Sequence, residues 1–303
     1  MPKIFIIFIA VTVLSGCRKT EETVFTDNNT PPYDAVPTLL IENYVNRLFI
    51  DLIGREPTDD EMSIEVGGLE SGGLSMASRS ALVDKLMGST VFLEGDTSYN
   101  HAFSKKIYED HKGRFLDGAS EFDMYEQFYL YYGVSVQDSI AGNILAYEIN
   151  RQQSDRMKLA IRSRIEFRAG AITIDEMCRR MCFNVMYDDI NMNTFNFINA
   201  TFNDLLFRYP TEAELEQSYD PVDVNVPGFL FGQNISSKSE YLDVVIASDE
   251  FAQGMIRWAY FSLLSREPNT AELYFALQHY HPDNDIKSIQ KSILISDEYA
   301  GFE

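Results

Sequence analysis

Three groups of side chains have types and spacings that could do chemistry. Cys178 and Cys182 stand four apart beside Met177 and Met181. On a helix the two thiols would share a face, as ligands of a soft metal ion must. His279 and His281 precede Asp283 and Asp285, and imidazoles with carboxylates suit transition metals. The third group is the run Glu121–Tyr132, EFDMYEQFYLYY. Its Phe122, Tyr125, Phe128, Tyr129 and Tyr132 could stack on a sugar or seat a peptide.

Each group also has a plainer reading. No further His or Cys stands beside the two cysteines, and a disulfide across one regular helical turn is geometrically awkward. Two small buried apolar groups is therefore the expectation for Cys178 and Cys182. The histidine pair fits neither a helical metal pair nor a calcium loop and is expected on a solvated turn. Aromatic residues at helical spacing usually pack inward, so core is the favoured reading of the aromatic run, with a binding platform as the other. Carboxylate pairs such as Asp188-Asp189 are what an acidic chain produces by chance. There is no nucleophile elbow, P-loop, dinucleotide fingerprint or zincin motif. No metal and no cofactor is expected, and the chain is expected not to be an enzyme.

Behind these groups stands a repeated stretch. Tyr44–Met62 (YVNRLFIDLIGREPTDDEM), Phe197–Leu215 (FINATFNDLLFRYPTEAEL) and Met255–Leu273 (MIRWAYFSLLSREPNTAEL) superpose without a gap. Phe49, Phe202 and Tyr260 align, as do Leu52, Leu205 and Leu263, at spacings that keep them on one helical face. Proline then stops the helix at Pro57, Pro210 and Pro268. A second helix starts at once: Thr58 with Glu61, Thr211 with Glu214, and Asn269 with Glu272 have capping-box spacing. Arg55, Arg208 and Arg266 recur just before the prolines. A cation there complements the helix dipole and can bond the last carbonyls or a nearby glutamate, so a structural role is expected for each.

A closing element recurs as well. Gly73–Phe92 and Gly232–Phe251 superpose, and Ser248-Asp249-Glu250-Phe251 returns as Ser296-Asp297-Glu298-Tyr299 near the chain end. Gly170–Tyr187 is a looser copy. Such self-similarity marks a duplicated supersecondary unit. The copies lie 153 and then 58 residues apart, so a degenerate unit is expected in the wide interval and the array is irregular. The motif F-x-D-L-x-G-R-x-P-T-x-x-E with L-V-D-K-L-M-G-S resembles a domain of unknown function found beside cytochromes in planctomycete-type proteins. The later units, with L-L-x-R-x-P and the closing I-x-S-D-E, resemble a small helical repeat of unknown function that is itself similar to phycobilisome linker domains. These resemblances imply an all-α fold and supply no catalytic residues. The chain has no C-x-x-C-H haem site, so the cytochrome association does not carry over.

The chain has 303 residues, 46 acidic and 25 basic, for a net charge of −21. That balance excludes a nucleic-acid partner, whose phosphates need a basic footprint, and broad adsorption to anionic lipid. Residues 1–16 read as a signal peptide, with Lys3 ahead of the apolar run Ile4–Leu14, which is too short to span a bilayer. Leu14-Ser15-Gly16-Cys17 resembles a bacterial lipobox, which implies cleavage before Cys17 and lipidation of its thiol. Arg18 after that cysteine, and Lys19-Thr20-Glu21-Glu22 beyond it, resemble outer-membrane sorting and Bacteroidetes surface-export signals. Asp138-Ser139-Ile140 resembles the short O-glycosylation motif of the same bacteria. Residues 17–36 are polar, with Pro31-Pro32, and read as a flexible tether.

The expectation is an all-α protein of duplicated helix–turn–capped-helix units after that tether, with units at 37–118, 119–190 (degenerate), 191–254 and 255–303. It is expected to be a non-catalytic outer-membrane lipoprotein, an interaction or scaffold module for another envelope protein. The alternatives are a glycan-binding or hydrolytic surface lipoprotein, and an accessory subunit of an outer-membrane uptake, assembly or secretion machine. An exposed apolar patch larger than ordinary monomers carry would favour an obligate partner.

Overall fold

Short polar side chains decide where most helices of this protein begin. In the computed structural model, which describes residues 36–93, 97–281 and 283–302, serines, threonines, asparagines and an aspartate accept from the first-turn amides of most helices. Pro37–Glu303 forms a single unit. The expected leader, Cys17 and the tether up to residue 35 lie outside the described residues.

The first unit opens with α1 (Thr38–Leu48), which runs into a π-helical turn, Phe49–Ile53, and stops at Gly54. Then come α2 (Asp59–Ser71), capped by Thr58, and α3 (Met76–Gly88), capped by Ser75. Helix α4 (Tyr99–Phe115) follows and packs on α3 and on the π-helical turn.

Next come two long helices, α5 (Glu121–Ala141) and α6 (Ile144–Arg168), joined at Gly142-Asn143. They pack on each other far more than on anything else, as one antiparallel hairpin. Two short helices, α7 (Ile174–Cys182) and α8 (Val185–Asn191), complete the interval. The interval thus holds a long helical arm where a degenerate copy of the capped pair was expected. Helix α6 runs unbroken through Gln152-Gln153-Ser154. The break between the two long helices lies at Gly142, whose φ of +75° favours glycine.

The second unit is α9 (Thr194–Leu206), α10 (Glu212–Val224), a small hairpin of β1 (Gly228–Leu230) with β2 (Gln233–Ile235), and α11 (Lys238–Ile246). The third is α12 (Asp249–Leu264), α13 (Thr270–Tyr280), α14 (Ile286–Leu294) and the single turn α15 (Asp297–Ala300). Its first helix starts at Ser248, so the expected boundary at residue 254 falls inside α12. The all-α fold expected from the repeats is what the chain adopts. Among the described residues there are fifteen helices and one two-stranded sheet.

The third unit packs between the other two. Helix α12 lies on α9, where a Cβ at Gly254 would come 2.1 Å from the Leu205 carbonyl oxygen, so only glycine permits the approach. On the other side α14 meets α3 and α15 meets α1. Tyr44 donates to the Leu294 carbonyl at 3.1 Å, and Arg47 donates to the carbonyls of Tyr299 (2.7 Å) and Leu263 (3.2 Å). The core at these joints is aromatic and fully buried: Tyr44, Phe49, Phe202, Phe251 and Tyr299.

Candidate functional site

The three recurrent arginines are structural clamps. Arg208 makes two parallel bonds to Glu214, at 2.8 and 2.7 Å, and donates to the Tyr209 carbonyl at 3.1 Å. Arg55 does the same with Glu61 and the Glu56 carbonyl, and Arg266 with Glu272 and the Glu267 carbonyl. The glutamate is also the partner of the cap: Thr58, Thr211 and Asn269 each complete a capping box with it. The prolines, Pro57, Pro210 and Pro268, hold the turn between. The carbonyl each arginine caps belongs to the turn, not to the last turn of the helix before it.

Two of the clamps reach further than the sequence suggested. Arg208 also bonds Glu250, at 2.9 and 2.7 Å, and Arg266 bonds Glu298 twice at 2.6 Å. Both glutamates belong to the recurring Ser-Asp-Glu-aromatic element: Glu250 ties the second unit to the third, and Glu298 closes the third unit on itself. In the first unit the corresponding residue is Val91, and Glu61 there also accepts from the Tyr99 hydroxyl at 2.7 Å. Against the upward push of burial, the Arg55 pair, the Thr58 amide and Tyr99 hold the Glu61 carboxyl at about 2. Arg208 holds Glu214 at about 2.

The other sequence-named groups do not assemble. Cys178 and Cys182 are free, fully buried thiols, both pushed up by burial. His279 lies in the last turn of α13, its ring nitrogen 2.7 Å from the Phe275 carbonyl, and His281 caps that helix. His279 is therefore helical, while His281 lies on the exposed turn that follows, as expected. Asp188 pairs with Lys238. Among the described residues no three His, Cys, Asp or Glu side chains converge as a metal site.

The aromatic run is where the structure departs most from expectation. Only Met124 and Ser135 of α5 are buried. Its seam to α6 runs through Met124, Phe128 and Ser135, fastened by Arg164 to Glu121 (2.6 Å), Ser154 to the Phe128 carbonyl (3.2 Å) and Asn150 to Asp138 (2.8 Å). A second stripe, Phe122, Tyr125, Tyr129, Tyr132, Val136 and Ile140, recurs every three or four residues about a quarter-turn away. Phe122 is 69% exposed, Tyr129 62% and Ile140 83%. Core was the wrong reading of Phe122, Tyr125, Tyr129 and Tyr132; of the five named rings, Phe128 alone turns partly inward, and its ring meets Tyr129 and Tyr132. The period was helical, but α5 has two apolar faces and α6 covers one.

The apolar surface continues over the tip. Ile144, Leu145 and Ile149 of α6 are exposed, and residues 139–147 (SIAGNILAY) carry no charge. An open depression of about 770 Å³ between Phe122 and Leu130 is lined by α5 side chains only. A second hollow, of about 780 Å³, opens between the π-helical turn and α4, lined by Ile53, Ala102, Lys105, Lys106 and Glu109 among others. Lys106 there is engaged by Asp110. Smaller polar hollows lie beside Asp175 and Tyr280 and beside Arg114 and Asp204. In both, the carboxylate accepts from a buried tyrosine, Tyr280 or Tyr187. Comparison of the chain with protein-family models, with curated proteins and with solved structures finds no match.

Proposed function

We propose that this protein is a non-catalytic interaction module of the bacterial cell envelope. It is held to the outer membrane by a lipid on Cys17, with the surface-facing side favoured, and it uses the α5–α6 arm as its contact surface. The observation that carries the reading is the uncovered second stripe of α5 together with the apolar tip. Nine large apolar side chains of that stripe and tip are exposed, on the order of 1,000 Å² in all, where an ordinary monomer's largest patch is about 300–600 Å². Leaving a surface of that size in water is costly and marks it as a contact site, which favours an obligate partner over occasional contacts. The clamped repeat units serve as the rigid body that carries the arm.

The test is a photo-cross-linking amino acid at position 129 or 145 of the full-length chain in intact cells. A discrete protein adduct from both positions, absent when the reactive group is moved to exposed Glu212, is the expected result. No protein adduct from either position would end the reading. Location is tested separately: Cys17→Ala should move the chain from the membrane fraction to the soluble one, and unchanged membrane retention would refute the anchor.

A further inference from the structure

We infer that the occupant of the α5 stripe is a second copy of the same arm, the two hairpins closing into an antiparallel four-helix bundle. This rests on the reading of the arm as a contact surface. It adds the identity of what is bound.

Charge points to a second copy. The chain as a whole carries −21, so most of its surface repels another copy. The arm does not. Helix α5 has four acids and no base, α6 has six bases and three acids, and the arm as a whole carries −1. Laying α5 of one copy beside α6 of the other therefore brings opposite charge together, while α5 on α5 opposes acid to acid. The stripe spacing of three and four residues is that of helices packing at shallow angles in bundles.

Area and distribution agree. The uncovered apolar surface, on the order of 1,000 Å² per copy, exceeds the roughly 800 Å² per partner of a standard stable interface. Along the arm it is divided unevenly. Aromatic rings occupy the base of α5, at Phe122, Tyr125 and Tyr129, and aliphatic chains occupy the tip, at Ile140, Ile144 and Leu145. In antiparallel arms each tip reaches the other copy's base, and the aliphatic tip covers the aromatic rings. A membrane would account for the uncharged tip. It would leave Phe122 and Tyr125, some twenty residues down the helix and roughly 25–30 Å away at 1.5 Å per residue, still in water.

The experiment uses the chain from residue 18 onward, without the lipid. Sedimentation equilibrium is expected to show a concentration-dependent dimer. Tyr129→Glu, on an exposed position, is expected to abolish that dimer while the far-ultraviolet spectrum and melting of the repeat body stay as they were. Phe122→Cys and Leu145→Cys chains, mixed and oxidised, are expected to link position 122 to position 145. Links of 122 only to 122 and 145 only to 145 would overturn the antiparallel arrangement. A chain that stays monomeric at its highest soluble concentration, or a dimer unmoved by Tyr129→Glu, would overturn the inference. A monomer that floats with zwitterionic phospholipid vesicles, and loses flotation with Leu145→Asp, would overturn it in favour of the bilayer. Monomeric behaviour with an in-cell adduct from position 129 to a different protein overturns the dimer and leaves the interaction module standing. Monomeric behaviour with no adduct removes both.

Discussion

The Tyr299 hydroxyl donates to Asp51 Oδ2 at 2.7 Å, across 248 residues of chain. The ring is fully buried, and Arg47 lies over its face with the guanidinium carbon 4.1 Å from the centroid. The last helical turn thus fastens the first unit to the third. Asp204, the repeat counterpart of Asp51, accepts from the buried Tyr187 hydroxyl at 2.8 Å, so the same position serves two different tyrosines. Tyr299→Phe keeps the packing and leaves a carboxylate short of its donor, which costs about 1–2 kcal/mol of unfolding free energy in urea. A double-mutant cycle with Asp51→Ala is expected to give a coupling of about 1 kcal/mol. Strict additivity of the two changes would mean that the bond adds nothing to stability.

Gly54, Phe207 and Ser265 occupy one repeat position, and all three are left-handed, with φ of +80°, +57° and +55°. Each ends the first helix of its unit, where such a residue satisfies a terminal carbonyl. Only the first copy uses the residue that takes this conformation without strain. Ser265 is exposed, so Ser265→Gly is expected to raise stability by about 1 kcal/mol. Gly54→Ala is expected to lower it by at least about 1 kcal/mol, because its Cβ would also come 3.3 Å from Lys106 Cδ. Thermal melting of the two single variants decides both, and a drop for Ser265→Gly would refute the assignment of strain.

Much of this was legible in the chain because the information is local. Thr58, Thr211 and Asn269 cap their helices through bonds to residues three ahead, and spacing alone reveals such pairs. The arginine clamps were half legible: Glu61, Glu214 and Glu272 follow by six residues, whereas Glu250 and Glu298 lie 42 and 32 residues away. Their motif was visible as a repeat, but nothing in a repeat says which arginine its glutamate meets. The arm could not be read at all. Periodicity shows that a helix has an apolar stripe, and not whether a neighbour covers it. Helix α5 has two stripes and α6 covers one of them, a matter decided by the path of the chain after Gly142.

The capped clamp has a pH signature. The Glu214 carboxyl sits at about 2 through its Arg208 pair, against 4.5 for the free group. A carboxyl lowered in the folded state stabilises it above pH 4.5, and that stability is lost as pH falls from 4.5 towards 2. Glu61 adds a change of the same sign, and Glu272 and Glu298 are lowered as well. The pair is partly solvated, so Glu214→Gln is expected to cost on the order of 1 kcal/mol at neutral pH and nothing near pH 2. Acid titrations of urea midpoints for the two chains should converge below pH 4.5. A gap that stays constant with pH would show that the loss is one of packing.

A second titration, at higher pH, belongs to His111. Its ring is buried against Phe115 and Trp258, with Nδ1 2.8 Å from the Ile107 carbonyl and Nε2 without a hydrogen-bond partner. Burial lowers the imidazole from 6.5 to about 4, and Arg114 and Lys106 push in the same direction. Folding therefore demands the neutral ring. The unfolded chain takes up a proton below pH 6.5, so stability falls as pH drops from 6.5 to about 4, by about 3 kcal/mol in the limit. His111→Phe fills the same aromatic pocket and cannot be protonated. Its stability relative to the parent chain is expected to rise across that window and to be flat above pH 7, measured by urea unfolding at each pH. A parent chain whose stability does not change between pH 6.5 and 4, relative to His111→Phe, would mean that the imidazole takes its proton inside the fold.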